Sequence, residues 1–274
     1  MAQGKSVRLA GNTATHWIKL LAVVLMLCDH AGKMLYGNCL ELRILGRIAF
    51  PLYAWCMVVG ASYTASMPRY LIRLVIMGVI SQMLYMVALD HSWHEMNIFL
   101  TLSLGLLALW GMREKRLLSQ IWAPVLAMAA AQWLGADYGW QGVMLMALLF
   151  AVRDSAAGIA AVMLAFCMYW GTGSQALVEP FGLSLAWARV RPWSALVSPW
   201  LRLQAMAILA LPVILLPMRH YKRLPRWIGY CAYPLHLVLL IVLEGVMTEG
   251  GFAQVAERFL TLVLRPALSL LGLG

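Results

Sequence analysis

Apolar runs close to 20 residues long, broken only by short polar clusters, follow one another along nearly the whole chain. A helix of about 20 residues crosses the hydrocarbon of a bilayer, and inside hydrocarbon only helices and closed barrels satisfy their own backbone. The runs fall at roughly 17–36, 48–66, 70–89, 97–112, 118–135, 139–152, 156–171, 203–218 and 230–248. The expected fold is all-α: a polytopic membrane helix bundle of about nine or ten transmembrane helices. The tenth candidate, 252–272, is interrupted by Arg258, Arg265 and Pro266. It reads either as a crossing or as a helix lying in the interface. The run at 139–152 is short, and only neighbouring helices would let it span.

Composition narrows the class further. Of 274 residues 63% are apolar and only 12% charged, whereas a soluble domain carries about a quarter charged residues. Soluble, disordered, collagenous and small secreted scaffolds are excluded. Cys28, Cys39, Cys56, Cys167 and Cys231 are odd in number and lack CxxC spacing, which argues against a disulfide framework and a zinc site. No metal is expected. No repeat or linker divides the chain, so residues 1–274 read as one integral membrane domain.

The net charge of +10 would suggest nucleic acid in a soluble protein. Here Lys and Arg stand between apolar runs, as cytoplasmic loops require, and no nucleic-acid module is present. With Lys5, Arg8 and the N-terminus cytoplasmic, and the first run retained as a span, Lys19 stays inside. So do Arg69 with Arg73, then Arg113, Lys115 and Arg116, then Arg153, and the Arg219–Arg226 cluster. The turns at Asp90–Glu95, Asp137 and Glu249 fall outside. Two outer groups break the rule and need a reason: Lys33, Arg43 and Arg47, and Arg189, Arg191 and Arg202. The longest connection, Gly171–Trp200, is expected to be either a re-entrant segment anchored by Trp187, Trp193 and Trp200 or a lid over an acceptor.

Ionisable groups inside spans carry the functional information, since each costs about 2.5–3.5 kcal/mol at a helix centre and so faces a partner or a water-filled cavity. Asp29 and His30 lie in the first span, Arg47 opens the second, Gln82 lies in the third and Asn97 opens the fourth. His236 and Glu244 lie in the ninth. Neighbours on a helix splay by about 100°, so Asp29 is expected to pair with Lys33 one turn on, leaving His30 to point elsewhere. His30 is either a satisfied hydrogen-bonder between helices or a general base, the work imidazole does best near neutral pH. Arg47 either snorkels to the outer headgroups or steadies an oxyanion. Tyr233 and His236 share a helix face, with Pro234 between them loosening the backbone ladder. They read either as a kink with a buried Tyr or as the wall of a cofactor tunnel. Glu244, His16, His91, His94 and His220 are expected to face solvent.

The run IKLLAVVLMLCDHAG, followed by LRILGRIAFPLYAWCMVVG, RLVIMGVISQMLYMVAL and WHEMNIFLTLSLGLLA, resembles the TraX family of polytopic inner-membrane proteins associated with N-terminal acetylation of conjugative pilin. The segment YCAYPLHLVLL resembles that family near its last spans. The resemblance covers about the first 110 residues, and more weakly 138–150 and 226–243. It implies an acetyl-CoA-dependent acetyltransferase of the bacterial inner membrane. Asp29 and His30 match the Asp-His pair, Arg47 the arginine ahead of AFP, Gln82 and Asn97 the polar positions of spans three and four, and Tyr233 and His236 the late Tyr and His.

The resemblance further implies that His30 is the base, with Asp29 and Arg47 beside it. Arg47, Gln82 or Asn97 would stabilise the oxyanion. The pantetheine arm would pass Tyr233 and His236. Arg69, Arg73, Arg113, Lys115, Arg116 and the Arg219–Arg226 cluster offer phosphate partners at the cytoplasmic mouth, although topology alone also explains those charges. The acceptor would be a pilin N-terminus or another surface component. The main alternative is a transporter or permease with an intramembrane His, Asp and Arg site, although no inverted-repeat signature is present. A structural assembly factor is a third reading.

Overall fold

The computed structural model describes residues 8–114, 116–190, 192–218 and 226–270. Among these, all regular structure is helical, and strand-like pairing is confined to the isolated bridges Met96–Ala136 and Ala176–Arg202. Eight helices lead: α1 Thr15–Met34, α2 Leu40–Arg47, α3 Ala49–Tyr63, α4 Met67–Leu89, α5 Ile98–Arg113, α6 Leu117–Trp133, α7 Gly139–Ala151 and α8 Ala156–Gly171. An irregular stretch follows, with short turns and α9 Trp193–Val197, and then a 3₁₀ segment Gln204–Ala210 running into α10 Leu211–Leu215. The last elements are α11 Arg226–Met247, α12 Gly251–Arg258, a π-helical turn Phe259–Leu264 and α13 Arg265–Leu270.

Among the described residues three helices, Leu40–Tyr63 (α2 running into α3), Met67–Leu89 and Gly229–Met247, are long and apolar enough to cross a membrane. The outward face of α4 carries Ile72, Val75, Ile76, Val79, Ile80 and Met83, each about half exposed or more. That i, i+3, i+4, i+7 stripe of bare apolar surface is sustainable only against lipid or another apolar surface. Ile98–Arg113, Gly139–Ala151, Ala156–Gly171 and Gln204–Leu215 are shorter apolar helices.

Local chemistry sets the helix boundaries. Pro51 lacks an N–H, and its ring crowds the carbonyl four residues back, that of Arg47, where α2 gives way to α3. Ser66 caps α4 by accepting from Arg69 N, with Pro68 in the first turn, and Asn97 caps α5 by accepting from Phe99 N. Pro266 cannot donate to Leu262, and the ladder just before it is π-helical instead of α-helical. The segment expected as a tenth crossing is thereby three joined pieces, tethered where Val263 packs on Met86 and Val87 of α4.

At the centre stands α3, every residue of it from Ala49 to Val59 buried. It packs on α1, α5 and α7. The irregular stretch after α8 folds back over α2: Leu177 and Leu203 pack on Ile44, and Phe181 N donates to Glu41 Oε1 at 3.2 Å.

Candidate functional site

The close approach of α1 and α2 builds the site. A Cβ placed on Gly32 would stand 2.8 Å from Leu42 Cβ, and one on Gly46 only 2.1 Å from Asp29 Cβ. Small residues let helix backbones meet in an apolar medium. Arg43 and Arg47, one turn apart on α2, then bracket Asp29: Arg43 Nε lies 3.3 Å from Oδ1, and Arg47 Nη2 donates to Oδ2. Arg47 Nη1 also donates to Gln204 Oε1 at 3.1 Å, and its buried Nε has no acceptor among the described residues. Asp29 therefore pairs with the two α2 arginines and not with Lys33 as expected. Two guanidiniums across the gap offer charge and geometry that a single flexible ammonium cannot.

Released from Asp29, His30 meets α11. His30 Nδ1 and His236 Nε2 are 3.0 Å apart, and their rings stack with centroids 5.1 Å apart. His236 in turn lies edge-on to Tyr233, with centroids 5.0 Å apart. The sequence reading gave Tyr233 and His236 only to the wall of a tunnel; the fold joins His236 directly to His30, across 206 residues of chain.

His30, Asp29, Arg43 and Arg47 open onto a cavity of about 460 Å3, completed by Lys33, His91, Gln132, Asp137, Tyr138, Trp140, Gln141, Trp170 and Gln204. Its rim is a chain of contacts. Lys33 Nζ is 3.2 Å from His91 Nε2, His91 Nδ1 is 2.7 Å from Glu95 Oε1, and the His91 ring stacks on Tyr85. Ser92 N, His91 and Ser92 Oγ bond to the Glu95 carboxylate, holding its pKa down at about 2. Asp137 presents much of its surface to the cavity, yet crowding by protein raises its carboxyl to about 6, with Arg47 pulling the other way. His91, expected to face solvent, is instead part of this rim. Glu244, also expected to be solvated, is ion-paired with Arg258 where α12 folds back on α11.

Of the six basic residues that broke the charge pattern, four now have reasons. Arg43 and Arg47 neutralise Asp29, Lys33 meets His91, and Arg202 donates to the carbonyls of Thr172 and Ser174. Gln82 and Asn97 do not reach the cavity. Asn97 Nδ2 donates to Gly78 O and Gln82 Oε1, while Gln82 Nε2 donates to Glu95 O. This amide clamp ties α4 to the start of α5, and Gln82 Nε2 keeps a second N–H beyond the one it gives Glu95.

At the opposite end of α1 lies a second cavity, of about 520 Å3, lined among others by His16, Lys19, Ser66, Arg69, Tyr70, Arg73 and Tyr230. Lys19, Tyr70, Gly229 and Tyr230 also line a smaller space of about 30 Å3, with Tyr233 and Phe99 on its wall. His30 stands eleven residues after Lys19, about 17 Å along the helix and within about 20° of the same face. Sequence reading took Lys19 only as a span-end charge. Its three-turn spacing from His30 was the available signal. Of the arginines expected around phosphate, Arg69 and Arg73 line this cavity. Arg113 lines a separate groove with Arg153, and Arg116 lines neither. Lys115, Arg191, Arg219, His220, Lys222 and Arg223, and the side chains of Arg189, Trp193 and Arg226, lie outside the described residues. Among the described residues no cluster of His, Cys, Asp and Glu is arranged for a metal.

A membrane-type helical bundle with a paired histidine between two polar cavities defines the class. Its lineage follows from comparison. The TraX protein family profile matches residues 14–244, and the chain belongs to that family. It is similar to the uncharacterized protein RP591 of Rickettsia prowazekii, 36% identical over 88 residues, which are 32% of this chain and 33% of that protein. It is also similar to a probable fimbrial assembly protein FimC, serogroup H1, of Dichelobacter nodosus, 32% identical over 108 residues, 34% of this chain and 43% of that protein. The matched stretch thus spans less than half of either relative. No solved structure matches the chain.

Proposed function

We propose that this protein is an acetyltransferase of the bacterial inner membrane, passing acetyl from cytosolic acetyl-CoA to an amine or hydroxyl at the outer face. The observation that carries the reading is the series of spaces along α1: a basic cavity, a neck with Tyr233 on its wall, the His236–His30 pair and an outer polar cavity. Acetyl-CoA has an anionic nucleotide end and a thin thioester arm. Lys19, Arg69 and Arg73 supply phosphate partners for the first, and the neck gives the second a direction towards His30 once its tyrosines part. The TraX membership and the printed name of the fimbrial relative favour a pilin N-terminus as acceptor, with other surface components as the wider class.

The chemistry assigns one tautomer. When His30 carries its proton on Nδ1 and donates it to His236 Nε2, His30 Nε2 is left as a base. The acceptor loses its proton to Nε2 and attacks the thioester carbonyl. The tetrahedral oxyanion forms beside Arg47, whose Nε is uncommitted. The C–S bond then breaks, and the imidazolium returns the proton to the departing thiolate. Asp29 holds Arg47 in place and takes no proton. In this reading about nine or ten segments cross the membrane, the N-terminus is cytoplasmic, and the neighbouring helices support the short ones.

With purified protein in detergent and radiolabelled acetyl-CoA, acceptor-dependent CoA release is expected to disappear in His30→Gln, which still inserts and purifies. A retained rate removes His30 from the chemistry. Solute uptake into liposomes with no CoA consumed would instead favour a permease. A neck with room for about one water argues for a reaction path over a permeation path.

A further inference from the structure

The groove that separates Arg113 from the cofactor arginines has a role of its own. It holds about 550 Å3 where the ends of α3, α5 and α7 meet the start of α6, and is lined by Ser62, Met112, Arg113, Gln120, Phe150, Ala151 and Arg153. Among the described residues no carboxylate lines it. Each guanidinium is fixed by one nitrogen. Arg113 Nη1 donates to the carbonyls of Ala61 at 3.0 Å and Thr64 at 2.8 Å, closing the end of α3. Arg153 Nη1 donates to Phe150 O, and its Cζ lies 3.9 Å over the Phe150 ring centroid. Asp154 is near enough to influence Arg153 but forms no ion pair with it among the described residues.

Each arginine carries five N–H donors, so both keep further donors beyond those named. Two held cations in one groove call for an anion with several acceptor oxygens, and bidentate geometry favours phosphate. What decides between a free phosphate and a lipid is the surface beside the groove. On α6, which contributes Gln120, the residues Leu117, Leu118, Ile121, Trp122 and Val125 are exposed, Leu118 at 73%. At about 100° per residue Leu117 and Ile121 stand about 60° and 100° round the helix from Gln120, with Val125, Leu118 and Trp122 farther on. The apolar face thus lies on the flank of α6 next to the groove, where the acyl chains of a bound headgroup would rest.

We propose that this groove binds the phosphate headgroup of an anionic phospholipid, whose chains lie along α6. The inference does not depend on the acetyltransferase reading. In the test, the full-length protein is held in phosphatidylcholine mixed micelles with added phosphatidylglycerol, and retained lipid is read by native mass spectrometry. Phosphatidylglycerol is expected to be retained about tenfold over phosphatidylcholine, as loss or gain of a charge-assisted contact implies. Arg153→Gln is expected to lose most of that preference and Arg153→Lys to keep part of it. Gln120→Glu leaves both arginines in place while adding a negative charge, and is expected to expel the lipid as well. Phosphatidylglycerol retention undiminished from wild type in Arg153→Gln or in Gln120→Glu overturns the proposal. So does displacement by inorganic phosphate, which would mark a soluble-anion site, or by CoA, which would mark an extension of the cofactor cavity.

Discussion

Asp29 shows how much one carboxylate can organise when it is held in an apolar bundle. It is mostly buried, and it neutralises Arg43 and Arg47, which reach it from a single face of α2. Removing one partner from a buried ionic group is expected to destabilise by about 3–5 kcal/mol, because the remaining charges lose compensation. Asp29→Asn keeps the shape and loses the charge. We expect a lower melting temperature in detergent and a fall in kcat as Arg47 drifts from the cavity, while KM for acetyl-CoA, whose anionic end is assigned to the far cavity, changes little. A KM effect without loss of stability would place Asp29 in substrate binding instead. The sequence made Asp29, His30 and Arg47 visible as costly residues in apolar runs. It could not name their partners, because Lys33 is near in sequence whereas Arg43, Arg47 and His236 become neighbours only when helices pack.

At the scale of elements, the positions of the helices were legible and their interruptions less so. Runs such as 156–171 and 139–152 coincide with α8 and α7 to within a residue, since apolar length is what a membrane-type helix is selected for. The 3₁₀ segment before α10 and the π turn before α13 depend on backbone details that hydropathy does not carry. Asn97 was legible as polar, but its place as the cap of α5 was not. Gly46 was silent in the sequence. Its side-chain position is filled by Asp29, and Gly46→Val is expected to force α1 and α2 apart. Overpacking of this kind costs typically about 1–3 kcal/mol. Thermal unfolding of the detergent-solubilised variant measures it; an unchanged midpoint would mean that the two helices are not held at contact. The same variant is expected to lose acetyl transfer, since Arg47 and Asp29 lose register.

For the molecule as a whole, the two ends differ in kind. Lys19, Arg69, Arg73, Arg113 and Arg153 gather at the end where α1 begins, while at the other Lys33, Arg43 and Arg47 stand among the carboxylates Asp29, Glu95 and Asp137. The proposed orientation places the first end in the cytoplasm. Cys39, half-buried in the turn before α2, is then expected to react with a membrane-impermeant maleimide in right-side-out vesicles. A cysteine introduced at Ser66 is expected to react only in inverted vesicles. The reverse pattern would turn the molecule over and separate acetyl-CoA from its arginines.

The narrowness of the space between Lys19 and Tyr233 has a bioenergetic consequence. A bacterial cell stores work as a proton gradient across its energised membrane, and two water-filled chambers joined end to end through one protein would drain it. Tyr70, Tyr230 and Tyr233 line a gap that admits about one water, and such a gap would keep the molecule insulated at rest. Under the proposed transferase reading, a thioester arm would fill the gap as it parts, and the substrate itself would serve as the stopper during turnover.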